Sequence, residues 1–315
     1  TKNAGFACFG SLSEILQDLQ SHTPEEVEKL VNQRHHGLQL LRQTLGDAAI
    51  SYQQLGGYEL FLEKDIRLYE SCVDRMKEVN SLLNPIFKDR VFSSVSNTFG
   101  FSKIQNNYIR NQFEGQIDTG QMMQELIKKV QQLGVIILNN TTVESFSEGS
   151  DNVAIKTNHF EFSASKLILT TNGFAQQLIN EDVQPARAQV LITKPLRNLT
   201  IKGTFHLDCG YYYFRNIDQR ILLGGGRNLE FKAETTTELA QTERIQNALE
   251  ALLKNTIIPG RDFEIEQRWS GIMGVGTQKK PIVKQLSNHV YCGVRMGGMG
   301  VAIGSMIGKE VAELL

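Results

Sequence analysis

The sequence predicts a mixed α/β protein in which a layered α/β domain is interleaved with a mainly antiparallel-sheet domain, and three observations predict it. Amphipathic helical patterns recur at both ends and in the middle of the chain. Apolar runs of strand length, such as "VIIL" and "KLILTT", follow or precede helical stretches, as buried strands of a layered fold do. Residues 140–174 then switch to short alternating strands, broken at Gly149–Ser150–Asp151 and at Asn158. Two interleaved patterns imply two discontinuous domains. The expected division assigns 1–46, 114–183 and 266–315 to the layered domain, and 47–113 with 184–265 to the antiparallel one.

In chain order, "SLSEILQDLQ" and "TPEEVEKLVNQRHHGLQLLRQTLG" predict two helices. In the second, Thr23 suits the N-cap, Pro24 the first helical position, and Glu26 the far side of a capping box. Val27, Leu30, Val31, Leu38 and Leu41 form its apolar stripe, and Gly46 ends it. "AISYQQLGGYELF" predicts strand, turn, strand. "EKDIRLYESCVDRMKEVNSLL" predicts a third helix, and "DTGQMMQELIKKVQQLG" a fourth capped by Asp118 or Thr119. "VIIL" is then expected as a buried strand. "RAQVLITKPL", "TFHLDCGYYYFRN" and "RILLGGGRN" continue as strands. "TTTELAQTERIQNALEALLKNTI" predicts a long helix, "DFEIEQRWSGIMG", "PIVKQ" and "HVYCGV" predict strands, and 300–315 the last helix.

Composition removes several function classes. Of 315 residues, 41% are hydrophobic and 21% charged, enough to bury a core. Net charge is −1 with no dense Lys/Arg block, so neither nucleic acid nor an anionic membrane is an expected partner. No apolar run approaches the ~20 residues of a membrane span. Cys8, Cys72, Cys209 and Cys292 are scattered without C-x-x-C spacing, which predicts reduced thiols in a cytoplasmic protein. His35 and His36 are adjacent, so they point about 100° apart on a helix and cannot jointly hold a metal. No metal site is expected. The opening "TKNAGFACFGS" has no initiator Met and no signal-peptide pattern, and resembles the interior of a domain.

The densest signal is "VYCGVRMGGMGVAIGSMIG", residues 290–308. Glycine inside a helix costs about 1 kcal/mol relative to alanine, so these glycines serve something else. The pattern is strand, glycine turn, helix. A helix N-terminus presents unpaired N–H groups and about half a positive charge, and bare glycine lets an anionic or planar ligand reach the backbone. Gly297, Gly298 and Gly300 can form the turn. Gly304 and Gly308, four apart, can press one helix face against a strand or ligand. A tight turn with no ligand explains the glycines alone equally well.

The surroundings are more specific. Trp269 to Gly271, Thr277, Pro281–Ile282, "HVYCGV" and Gly297–Gly298–Met299–Gly300 together resemble the C-terminal signature of the D-amino-acid-oxidase-like family of FAD-dependent oxidoreductases, which includes glycine and sarcosine oxidases. "IDTGQMMQELIKKVQQLGVIILNNTTVESF", "ASKLILTTNGFAQQL" and "QPARAQVLITKPL" with "YYYFRNIDQRILLGGG" are similar to further family segments in the right order. The resemblance covers roughly residues 1–15 and 110–315. It implies an FAD-binding layered domain and a substrate-binding antiparallel one. It implies noncovalent FAD, a small amine or amino-acid substrate, oxidation of a C–N bond by hydride transfer to flavin, and hydrolysis of the imine. Cofactor contacts carried over by position are Asn3, Ala4, Gly5, Val143, Thr171, Gly173, Trp269, Gly271, Gly297, Gly298, Met299, Gly300 and Val301.

Family members open with a βαβ unit carrying G-x-G-x-x-G. No such motif lies near residue 1, so this stretch is expected to lack the element that grips the pyrophosphate and to bind FAD weakly or not at all by itself. Other departures bear on chemistry. Met273 stands where amino-acid-oxidising members often place a carboxylate-clamping Arg, and Val301 and Ala302 stand where sarcosine-oxidase-like members place a Lys. Residues 271–277 hold no Cys for a covalent flavin link, and "TQKKP" lacks the usual Asp. The catalytic set therefore stays open, with Tyr213, Arg215 and Arg295 as candidates. Strand alternation puts Tyr211, Tyr213 and Arg215 on one face and Tyr212 on the other. Arg295 either meets substrate or pairs with a nearby carboxylate. The contrasting reading is a non-catalytic remnant or binding domain that keeps the fold without FAD; a third is a dehydrogenase passing electrons to a quinone or flavoprotein.

Overall fold

The structure, a computed structural model, describes residues 2–315. Strand β1 (Phe6–Ala7) leads into α1 (Leu12–Ser21) and α2 (Pro24–Leu45). Then come β2 (Gly57–Glu59), α3 (Ile66–Phe87), β3 (Phe92–Ser96), β4 (Asn107–Asn111), β5 (Gly115–Gln116) and α4 (Thr119–Gln132). The second half holds β6 (Val143–Glu148), β7 (Val153–Thr157), β8 (Glu161–Ala164), β9 (Leu167–Leu169), β10 (Gln184–Thr193), β11 (Thr204–Leu207), β12 (Tyr212–Ile217) and β13 (Arg220–Gly225). It ends with α5 (Glu243–Leu252), β14 (Ile265–Val275), β15 (Ile282–Gln285), β16 (Val290–Val294) and α6 (Gly300–Glu313).

Local chemistry sets the helix ends. Thr23 accepts from the Glu26 amide while the Glu26 side chain returns to Thr23, with Pro24 at the first helical position. Gly46 closes α2 at φ 89°. Asp118 Oδ1 accepts from the amides of Gly120 and Gln121 at 2.8 and 3.0 Å and starts α4. Helix α2 crosses α6 closely because Gly37 has no side chain: a Cβ there would collide with the Ala302 carbonyl and lie 3.1 Å from the Ile303 Cα.

Eight strands form the large sheet in the order β14-β10-β13-β12-β11-β2-β4-β3. It is antiparallel except between β11 and β2. One face packs on α5, where the Phe205 and Phe214 rings stack with centroids 4.5 Å apart beside Ile245, Leu249 and Leu253. The other face looks toward a helical core of Phe9, Leu12, Ile15, Val31, Leu38, Val79 and Leu83. A smaller sheet, β15-β16-β9, pairs β16 parallel with β9. Helix α6 covers it, with Ile307 and Val311 pressed over Gly293.

Several expectations are corrected. Residues 135–138 join no strand and are exposed, Ile136 at 82%. An apolar run becomes a strand only where a neighbour offers backbone pairing, and none of the described strands runs beside it. Strand β9 likewise has β16 on one side and no described strand on the other. The strand expected over 49–52 is turn, because its backbone closes short loops such as Tyr52 N–H to the Asp47 carbonyl. The long helix begins only at Glu243, and 253–257 widen into a π-helical turn. The domain boundary at 266 falls inside β14, which pairs with β10 from Val275 back to Ile265 and so belongs to the large sheet. Gly308 faces open space and the nearest atom to a Gly304 Cβ would be Met296 Sδ at 3.8 Å, so neither glycine serves close packing; Gly37 and Gly293 do. Among the described residues no helix is long and apolar enough to cross a membrane.

Candidate active site

The turn between β16 and α6 is fixed from behind. Arg295 adopts φ 63°, unusual for a side-chain-bearing residue. It is held there by Nε–H donation to the Lys280 carbonyl at 2.8 Å and by an Nη1 bond to Asp182 Oδ2 at 2.7 Å. The Met296 amide donates to Asn172 Oδ1 at 3.1 Å, and the Gly297 amide to the Gly274 carbonyl at 2.9 Å. Beyond Gly297 the backbone is open. The amides of Gly298, Gly300 and Val301 meet no acceptor among the described residues. A Cβ on Gly297 or Gly300 would find nothing within 4 Å, and one on Gly298 only Met273 Sδ at 4.0 Å. Three unpaired amides at a helix N-terminus, beside a bare backbone, form an acceptor-binding cradle.

Residues 2–8 form the facing wall. The Gly5 amide donates to Asn3 Oδ1 at 2.7 Å, and the Gly5 carbonyl accepts from Ile117 N–H at 3.0 Å. Gly5 has φ 80°, and a Cβ would sit 2.7 Å from Arg215 Nη2, so glycine lets the arginine pass beneath. Arg215 Nε donates to the Ala4 carbonyl at 2.6 Å. The Cys8 thiol donates to Met299 Sδ at 3.4 Å and ties this wall to the glycine turn. Asn3, Gly300 and Val301, with Leu41, Met122, Leu126 and Ser305, line a cavity of about 240 Å³.

The large sheet closes the site. Its register sets Trp269, Val190, Gly224, Tyr213, His206 and Glu59 in one row across five neighbouring pairs of strands, hence on one face. The Trp269 indole donates to the Lys2 carbonyl at 3.0 Å. The Phe6 ring meets His206 and Tyr213 edge-on, with centroids 5.3 and 5.4 Å apart. Tyr213 lies over Gly224, where a Cβ would come within 2.7 Å of its hydroxyl. Burial pushes the Tyr213 phenol up to about 12, so it is a neutral donor at any ordinary pH. Burial likewise lowers Arg215 to about 10, with Asp118 and Asp218 pulling the other way. Arg215 still carries its charge at pH 7, yet forms no ion pair among the described residues.

The structure therefore brings together Asn3, Ala4, Gly5, Trp269, Gly271, Gly297, Gly298, Met299, Gly300 and Val301. Tyr213 and Arg215 face the same cleft. Arg295 does not join them: its guanidinium is committed to Asp182 and Lys280. Gly173 is a packing glycine, since a Cβ would lie 2.7 Å from the Met273 carbonyl oxygen. Thr171 is exposed beside it. Val143 lies on the separate β6-β7-β8 sheet, against the Val153 and Ile155 core. Sequence patterns missed Glu59, Glu114 and His206, three buried polar residues beside the cleft. Glu59 had a visible signal, a charge set among Tyr58, Leu60 and Phe61 in a strand.

A family model described as FAD dependent oxidoreductase, the D-amino-acid-oxidase type, matches residues 2–314. The chain belongs to this family. FAD is the family's cofactor, and it is held noncovalently. The curated protein "Probable oxidoreductase OrdL" of Haemophilus influenzae is 23% identical over 208 residues, 60% of this chain and 45% of that protein, so the match spans less than half of its length. Among solved structures, glycine oxidase from Geobacillus kaustophilus is 15% identical with TM-score 0.77, covering 99% of this chain and 83% of that one. L-proline dehydrogenase from P. horikoshii is 17% identical with TM-score 0.73, over 91% and 79%. Iminodiacetate oxidase from Chelativorans sp. BNC1 is 16% identical with TM-score 0.74, over 99% and 84%. At these identities the likeness is one of fold. The residues present fit the family's cofactor: the cradle at Gly297–Gly300 has unpaired donors and room where side chains would stand.

Proposed function

We propose that the intact protein oxidises a C–N bond of a small amine or amino acid on FAD, with hydrolysis of the imine product. The observation that carries this reading is the uncovered turn at Gly297–Gly300, with its three unpaired amides opposite residues 3–8. When bound, FAD supplies the hydride acceptor. The chain supplies position and polarity. The amides of Gly298, Gly300 and Val301, at the positive end of α6, are suited to an electron-rich carbonyl edge and to the negative charge that grows there on reduction. Phe6, Tyr213 and Trp269 wall the cleft. Arg215, charged and without an ion pair, gives it a positive floor beneath Ala4 that favours a substrate carboxylate.

The test is a visible spectrum of purified full-length protein, followed by peroxide release over a panel of amines and amino acids. A flavin band with amine-dependent flavin reduction supports the proposal. Protein that remains colourless after FAD titration would falsify it and favour a non-catalytic remnant. Flavin reduction without peroxide would move the activity to a dehydrogenase.

A further inference from the structure

Behind the Phe6 wall lies a group of buried ionisable side chains, two of which also accept from backbone amides at Phe9 and at the start of α1. Glu59, Glu114 and His206 are 3%, 1% and 6% exposed. His206 and Glu59 are direct partners on the neighbouring strands β11 and β2, so they share a sheet face. Glu114 reaches the same place from the segment between β4 and β5. Its Oε1 accepts from the Phe9 amide at 2.9 Å, and its Oε2 stands 3.8 Å from His206 Nε2. Gly57 makes room for this carboxyl, since any side chain there would collide with it. Glu59 accepts from the Ser13 amide at 3.1 Å and from the Ser13 hydroxyl. The separation of 3.8 Å is too long for a hydrogen bond, and His206 Nε2 has no hydrogen-bond partner at all.

The surroundings offer these carboxyls little positive charge. Glu14 faces them from α1, Cys8 from the β1 segment, Cys72 from α3, and Asp208 and Cys209 from the turn after β11. Arg34 of α2 donates Nη1–H to the Phe9 carbonyl. Burial consequently raises Glu59 to about 7 and Glu114 to about 8, and keeps His206 below its ordinary value. Such a group is costly to keep in a core. Its edge is functional: the His206 ring touches Phe6, whose segment runs on through Cys8 to Met299.

We propose that Glu59, Glu114 and His206 form a buried proton-accepting cluster that takes up the proton an ammonium substrate must lose before oxidation. This rests on the amine reading above. An amine reaches the cleft largely as its ammonium ion, whose nitrogen has no free electron pair to assist departure of the neighbouring hydride. In the proposed step one N–H bond breaks, the electron pair stays on nitrogen, and the proton forms an O–H bond on the ionised member of the cluster or an N–H bond on His206. No electrons leave the substrate in this step. The C–H pair departs afterwards as hydride to the flavin, leaving the iminium ion, which loses its remaining proton or is attacked by water.

Two readouts on full-length protein test this. The first needs neither FAD nor substrate: infrared spectra from about pH 6 to about pH 10 should show a protonated-carboxyl stretch that bleaches between roughly 7 and 9, half of it lost in Glu114→Gln and half in Glu59→Gln. The second is anaerobic flavin reduction by sarcosine and by L-proline. The wild-type limiting rate should rise with pH through an inflection in that window, and Glu114→Gln, Glu59→Gln and His206→Gln should shift or abolish it with at least about a tenfold loss at neutral pH. Glu→Gln preserves shape and one acceptor oxygen while removing the proton site, and the circular dichroism spectrum of each variant checks the fold. No carboxyl band in the wild type overturns the cluster whatever the activity. A band with an unchanged pH–rate profile in all three variants overturns its role. A band with no flavin reduction by any member of the amine and amino-acid panel overturns the amine reading, and the step with it.

Discussion

Gly300→Ala separates a ligand cradle from a tight turn. Gly300 is the first residue of α6, it does not have positive φ, and a Cβ there would meet nothing within 4 Å. In the FAD-free protein the added methyl has no steric cost. It removes backbone freedom from the unfolded chain, which stabilises by about 0.4–1 kcal/mol. For a chain of this size that raises Tm by roughly 0.5–1.5 °C. With FAD present the balance reverses, because the methyl occupies the space in which the cofactor lies against the backbone. Losing one good contact and its approach distance costs about 1.4 kcal/mol or more, a tenfold weaker Kd. The assays are thermal unfolding of the FAD-free full-length variant and FAD titration by flavin fluorescence. A variant that loses stability without FAD, or that binds FAD as tightly as wild type, refutes the cradle.

Packing and charge set the other expected outcomes. Gly37→Ala forces a methyl into the Ala302 backbone and should destabilise by about 1–3 kcal/mol, seen as a lower urea midpoint. Glu234→Ala leaves Arg187 buried without its partner, now 2.7 Å away with both side chains at most 5% exposed, and should cost about 3–5 kcal/mol; a loss under about 1 kcal/mol contradicts that. Asp182→Asn removes the partner of Arg295 and should lower Tm modestly. Asp182 titrates below its ordinary value, first through its hydrogen bonds from Thr277, so its contribution is present above the unfolded value and fades as pH falls through the folded one. Glu59 and Glu114 have the opposite sign. Between about 4.5 and about 7 to 8 the folded chain keeps protons that the unfolded chain releases. Stability therefore falls as pH rises through that window, by up to about 1.4 kcal/mol per unit for each carboxyl, and Glu→Gln at either position should flatten the slope.

Much of the fold and of the site was legible in the sequence, for local reasons. Thr23, Pro24 and Glu26 announce the start of α2 because capping chemistry lies within four residues. The glycines at 297–300 announce a turn between strand end and helix start, and Gly297 takes the positive φ that favours glycine. What escaped depends on distant partners. Val135–Leu138 has the composition of a buried strand, but composition does not supply a neighbouring strand. Arg295 stayed open between a substrate and a carboxylate partner because that partner, Asp182, is 113 residues away. Glu59, Glu114 and His206 come from three separate strands or turns, and only the register of β2, β4 and β11 brings them to one point. Gly37 sits in an ordinary helical pattern, and its purpose is visible only once α6 crosses it.

The most direct test of the account is amide hydrogen exchange of the full-length protein with and without FAD, monitored over residues 297–302. Unpaired amides exchange quickly, so the FAD-free protein should show fast exchange at Gly298, Gly300 and Val301. FAD should slow these amides while leaving the Gly297 amide, already bonded to Gly274, little changed. Bound flavin with no change at these three positions would place the cofactor elsewhere and contradict the central claim.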